Sequence, residues 1–220
     1  MKPARTASQL LEQLDSELAW RLQELASLRR AISGAQGINQ STLLRAAVPL
    51  LYAHWEGYVK GTAIRYAAYI SALGVTFGDV QPSFAGGKAM GHVKQLHAIS
   101  KRVLAASELL IALKSIDSEK AILGFDNHIS NIGNLNFDMF EQISGFLSID
   151  TTPYVTKKQL IDESLLRQRN DIAHGDYLTI DADRFESLSN EILGLMRQFK
   201  TDVQNAATLR SYLRIPPEIL

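Results

Sequence analysis

The chain has 220 residues, 46% of them apolar and 21% charged, with 23 basic and 23 acidic side chains. This is the composition of a globular protein able to bury a core. Zero net charge excludes a strongly basic protein that coats nucleic acid, though not a local positive cleft. No cysteine is present, which rules out a disulfide framework or a thiolate zinc site and fits a reducing, cytoplasmic setting.

Leu10, Leu11, Leu14, Leu18, Leu22, Leu25 and Leu28 recur at steps of three and four. This predicts an amphipathic helix within residues 1–40, with a leucine seam suited to an antiparallel hairpin or a subunit contact. Gly34 and Gly37 end it, and Asn39 or Ser41 can cap a second helix over about 42–73. Pro49 predicts a kink or a fresh start there. That helix carries Trp55, Tyr58, Val59, Tyr66 and Ile70, so it reads as the buried centre. Its apolar stretch is interrupted by His54, Glu56, Lys60 and Arg65 and is too polar to span a membrane. No secretory leader is visible in residues 1–9.

The glycine-rich stretch 74–91 reads as a loop. Two moderate helices follow, about 88–113 and 118–131, then a turn at 131–136 and a short helix at 137–146 capped by Asn136. Asp150-Thr151-Thr152-Pro153 makes another turn. Thr156 opens a helix running to about residue 173, and Gly175 supplies a left-handed terminator. Asp181 caps a last helix over about 182–212, with Phe185, Leu188, Ile192, Leu195, Met196, Phe199 and Val203 as its apolar row. No strand, repeat or low-complexity tract is visible. The prediction is all-α: a helical bundle with long N- and C-terminal helices, one domain over 1–220, divided into the first helix (1–40), a core bundle (41–214) and a tail (215–220).

The densest chemistry is in Arg167-Gln168-Arg169-Asn170-Asp171-Ile172-Ala173-His174-Gly175-Asp176. An always-charged phosphate binder, Arg169, stands five residues before His174, the one side chain type that titrates near neutrality. On an ideal helix they are about 140° apart, whereas Asn170 and His174 share a face. At a helix end, free carbonyls and the nearby Asp171 and Asp176 favour a protonated imidazole. Such a histidine can move a proton to or from a ribose oxygen, while Arg169 neutralises phosphate charge. Read from residues alone, the same stretch is more simply a helix C-cap, with Arg169 pairing Glu163 or Asp171 on the surface.

Other polar residues are weighed in the same way. Glu56 and Lys60, four apart, are either a helix-stabilising pair or the flank of a cleft. Lys157, Lys158 and Arg167 share the motif helix with Arg169 and are candidates to guide a phosphate backbone. Lys94, Lys101 and Arg102 are RNA contacts or a solvated face. His54 reads as a packed residue. His92 and His97 lack a carboxylate at ligand spacing, so neither a metal nor a cofactor is expected. Asn131, Asn134 and Asn136 read as turn and cap residues.

Arg169-Asn170-Asp171-Ile172-Ala173-His174-Gly175 closely resembles the signature of the HEPN superfamily: Arg, a polar residue, a short spacer, then His near a helix end in an all-α bundle. Three further stretches resemble one prokaryotic branch, nucleases grouped with RiboL-PSP-HEPN domains. They are Ala53-His54-Trp55-Glu56-Gly57-Tyr58-Val59-Lys60, Asn131-Ile132-Gly133-Asn134-Leu135-Asn136-Phe137 and Tyr177-Leu178-Thr179-Ile180-Asp181. The likeness covers about residues 43–212 and is weakest over 74–124. It implies a metal-independent endoribonuclease cutting single-stranded RNA, with Arg169, Asn170 and His174 as catalytic residues in a cleft shared by two protomers. Such proteins commonly act as toxins or in antiviral defence, held by an antitoxin or another defence partner. Some carry a tyrosine two residues after the histidine that a partner enzyme modifies. Here that position is Asp176 and Tyr177 follows one later, so that regulation is not carried over. The alternative is a non-catalytic HEPN-like module, an antitoxin or regulatory subunit that binds a partner or a nucleotide.

Overall fold

The computed structural model describes residues 2–97, 102–124 and 133–214. Among them there is no strand, only two isolated bridges, Thr76 with Lys120 and Val80 with Leu213. The architecture is an all-α bundle. No helix is long and apolar enough to cross a membrane, among the described residues.

Helix α1 (Ala7–Gly34) begins where the Thr6 hydroxyl accepts the Gln9 amide at 3.2 Å. Its leucine row does turn inward: Leu10, Leu14, Leu18 and Leu25 are buried within the chain, against α2 (Gly37–Ala72) and the last helix, α7 (Ala182–Thr208). The seam therefore packs within the fold itself. Helix α2 starts earlier than expected. Asn39 and Ser41 lie inside it, no side chain caps it, and it runs unbroken through Pro49. Val48 and Leu51, fully buried beside the proline, hold the helix together across the amide that proline lacks.

The stretch expected as a loop holds a helix start. Pro82 opens α3 (Pro82–His97), where its fixed φ suits the first turn and its missing N–H costs nothing. Phe84 anchors that turn, buried against the rings of Tyr66 and Phe146. Helix α4 (Arg102–Ile116) packs back on α3, so the single long helix expected over 88–113 is two. The helix expected over 118–131 is absent from its described part. Residues 117–123 instead pair with 71–78: Phe77 N donates to Glu119 O at 2.9 Å, Gly78 N to Asp117 O at 2.9 Å, and Ala121 N to Val75 O at 2.9 Å. A Cβ on Gly78 would sit 2.9 Å from the Asp117 carbonyl oxygen, so this approach requires glycine.

Helix α5 (Phe137–Phe146) is capped as expected, with Asn136 Oδ1 accepting the Met139 amide at 2.8 Å. Asp150 then closes its own turn on Thr152. A 3-10 segment (Thr152–Lys157) leads into a π-helical stretch (Leu160–Arg167) and then α6 (Gln168–Ala173). The expected regular helix from 156 to 173 is thus a composite that begins at 152. Asp181 caps α7 by accepting the amides of Asp183 and Arg184 at 3.0 Å each. That helix ends at Thr208, short of the expected 212, because Arg210 turns left-handed (φ 55°) and Tyr212 folds into the core. An aromatic cluster joins these elements: Phe140 meets Trp55 at 5.5 Å, Tyr154 at 4.9 Å and Phe199 at 5.5 Å between ring centres. The expected tail, 215–220, and Asn131 lie outside the described residues.

Candidate functional site

Helix α6 lies antiparallel on α2, pinned at two points. The Arg169 guanidinium carbon stands 5.0 Å from the centre of the Tyr52 ring. Seven residues on, the Asp176 carbonyl accepts a 3.0 Å hydrogen bond from Arg45 Nη2, seven residues earlier on α2. The same arginine lies 5.2 Å from the ring centre of Tyr177. Arg45, Tyr52, Glu56 and Lys60 are spaced seven, four and four, so they form one stripe along α2. Sequence reasoning missed Tyr52 and Arg45. Their spacing to the Glu56–Lys60 pair was the signal available.

The stripe is wired together. Tyr52 is buried; its hydroxyl accepts the Leu135 amide at 2.6 Å and feels the Glu56 charge. Burial, above all, and the Glu56 charge push its ionisation well above the ordinary tyrosine range. Glu56 Oε1 accepts from Lys60 Nζ at 2.6 Å, and Lys60 also donates to the Gly133 carbonyl at 3.2 Å. The segment 133–135 is therefore held against α2 from both sides.

Arg169 is half-buried. Besides the Tyr52 ring it touches Asn170, whose Oδ1 accepts from Arg169 Nη1 at 2.8 Å and from Asn134 Nδ2 at 3.5 Å. Among the described residues Arg169 has no carboxylate partner. The surface pairing with Glu163 or Asp171 open from sequence alone is not what forms: Glu163 pairs with Arg167 at 3.0 Å. A guanidinium oriented by a ring and an amide, but not neutralised, suits a phosphate.

His174 is the C-cap of α6, exposed, with its amide on the Asn170 carbonyl at 2.9 Å. Gly175 has φ 93°, and its amide reaches Ile172 O while the Asp176 amide reaches Asp171 O. This is the Schellman closure expected of that glycine. Tyr177, 78% exposed, stands beside it.

The other candidates are placed elsewhere. Lys157 pairs with Glu191 on α7 at 2.5 Å, and Lys158 with Asp138 on α5 at 2.7 Å. With Arg167 on Glu163, all three hold surface carboxylates, and none touches the Arg169–Asn170–Tyr52 group. His54 faces α1, buried, with Nε2 2.8 Å from Glu24 and its ring edge-on to Trp20. Burial lowers its pKa against the pull of Glu24. Lys101 and the side chain of Lys94 lie outside what the structure describes.

The family model for MAE_28990-like HEPN domains matches residues 10–212. No curated protein and no solved structure gives a match. Membership of the HEPN superfamily is thereby borne out over nearly the whole chain.

Proposed function

We propose that this chain, which belongs to the MAE_28990-like HEPN family, is a metal-independent endoribonuclease. Its site is the cradle formed by Tyr52, Asn134, Arg169 and Asn170, with His174 at the helix end. The observation that carries this reading is Arg169: half-buried, clamped on Tyr52 by Asn170, and without a carboxylate partner among the described residues. A cation held in that way is prepared for an anion supplied from outside.

In the proposed reaction the ribose 2′-oxygen attacks the adjacent phosphorus. The P–O5′ bond breaks, leaving a 2′,3′-cyclic phosphate and a 5′-hydroxyl. His174 takes the 2′-hydroxyl proton or protonates the departing 5′-oxygen. Arg169 binds the phosphoryl oxygens as charge builds on them. Each chain offers one arginine and one histidine, so two chains facing across a two-fold axis supply two of each. The exposure of His174 and Tyr177 supports such a shared cleft. The Glu56–Lys60 pair acts through Tyr52 and the 133–135 segment, and is not itself assigned to the chemistry. A cellular toxin or defence role, with a restraining partner, extends the same reading.

The test is cleavage of single-stranded RNA by the purified protein in EDTA. A 2′,3′-cyclic phosphate product is expected, with no cutting where the ribose carries 2′-deoxy at the scissile position. Arg169→Ala and His174→Ala should each abolish cutting with the helical circular dichroism unchanged. Undiminished cleavage by both variants removes the assignment. Binding of RNA or nucleotide without cleavage, unaffected by His174→Ala, favours the binding-module alternative, which the zero net charge also suits.

A further inference from the structure

Helix α4 is two-thirds apolar, yet among the described elements it packs chiefly on α3. Leu109, Ala112, Leu113 and Ile116 turn toward the protein. Leu110 (60% exposed) and Ile111 (69% exposed) turn away from it. Two large aliphatic side chains in the middle of an outward helix face call for a cover.

The sequence around them says what the cover is. Ser107-Glu108-Leu109-Leu110-Ile111-Ala112-Leu113-Lys114-Ser115 reads the same by type in both directions about Ile111, except that its acid is mirrored by a base. In an antiparallel helix pair related by a two-fold axis, residues whose positions sum to a constant lie opposite each other. With the axis at Ile111, each Glu108 meets the Lys114 of the other copy, twice over. Neither side chain has an ion-pair partner among the described residues, and both are exposed. On the helix they flank Ile111 at three residues either side, about 60° to each hand.

We propose that α4 is a self-docking surface, pairing antiparallel with α4 of a second copy about a two-fold axis at Ile111. The apolar centre is Ile111, with Leu110 at one edge, and the reciprocal Glu108–Lys114 pairs set direction and register. One helix crossing buries less than the ~1,200 Å² of a standard stable interface, so by itself it is a weak, salt-sensitive contact. It is distinct from the motif: α4 lies on α3, whereas α6 lies on α2. If both two-fold contacts form, copies join beyond the dimer.

The absence of cysteine makes the test direct. Helices packed about 8–10 Å apart, each with a Cα radius of about 2.3 Å, leave roughly 3.4–5.4 Å between facing Cα atoms, which overlaps the disulfide range of about 4.4–6.8 Å. Ile111→Cys should give a covalent dimer on mild oxidation at tens of micromolar protein. Leu209→Cys, equally exposed at the end of α7, should not. In the Ile111→Cys background, Glu108→Lys or Lys114→Glu should each slow cross-linking by at least about fivefold, and the double exchange should restore it. Restoration by the double exchange supports the axis. No covalent dimer, or single exchanges without effect, or a double exchange no faster than the singles, overturns it. Arg169→Ala should leave cross-linking unchanged, so a failed nuclease assignment and a failed α4 contact are told apart.

Discussion

The Arg169 guanidinium lies 5.0 Å from the centre of the Tyr52 ring, while the hydroxyl of the same tyrosine holds the Leu135 amide at 2.6 Å. One side chain thus does two separable things. Tyr52→Phe keeps the ring under Arg169 but leaves a buried amide without its acceptor. It should cost about 1–3 kcal/mol in urea unfolding and spare most of the RNA cleavage. Tyr52→Leu also removes the ring, and cleavage should fall by about 5–30-fold beyond that of the phenylalanine variant. Equal activity of the two variants would show that the stack does not position Arg169.

Arg169→Lys retains the charge and loses both the planar fork and the stack. It should be nearly as inactive as Arg169→Ala, with RNA cleavage in EDTA as the measurement. A lysine variant within a few-fold of the native rate would mean that charge alone is used there.

Glu17 on α1 is bonded by Arg21 and Arg65 in the α1–α2 interface. Burial alone would raise its pKa, but the two guanidinium groups together outweigh that, and the net shift is below its ordinary value of 4.5. A lowered folded pKa stabilises above the unfolded value, and the contribution is lost as pH falls through the folded one. Urea midpoints of the native chain and Glu17→Gln should therefore differ at pH 7 and converge well below pH 4.5. A constant gap across that range would show that the pair contributes no pH-dependent stability.

Gly78→Ala should destabilise the chain by about 1–3 kcal/mol, because its Cβ would meet a carbonyl oxygen and not a yielding side-chain tip. Hydrogen exchange should quicken first at Phe77, Gly78 and Ala121, the amides that tie the two segments together. Native-like protection at these three would place the close approach elsewhere.

Much of this was legible in the chain. The leucine row of α1, the Asn136 and Asp181 caps and the Gly175 terminator are local chemistry, read from neighbouring residues. What was not legible is what packing decides. Gly86 and Gly87 argue against a helix, but Phe84 seated between Tyr66 and Phe146 outweighs them. Asn39 and Ser41 look like caps, yet α1 and α2 fold so closely that only two residues separate them. At the proposed site, Arg169, Asn170 and His174 stand together in one short stretch of sequence. Tyr52 is 117 positions earlier, and only the antiparallel docking of α6 on α2 brings it under the arginine. Lys157 and Lys158 shared a helix with Arg169 on paper, but carboxylates on α7 and α5 claim them.

The π-helical stretch Leu160–Arg167 makes residue count, more than residue identity, the sensitive quantity just upstream of the motif. Its wider turns accommodate extra backbone between two anchored ends, Asp162 on the Phe137 amide and Arg169 on Tyr52. One further residue there, with the wide turns already taken up, would swing everything after it by about 100°. Arg169 would then point away from its ring with every motif residue still present. Relatives one residue longer at this stretch would be expected to keep the signature in their sequence and lose its alignment in space.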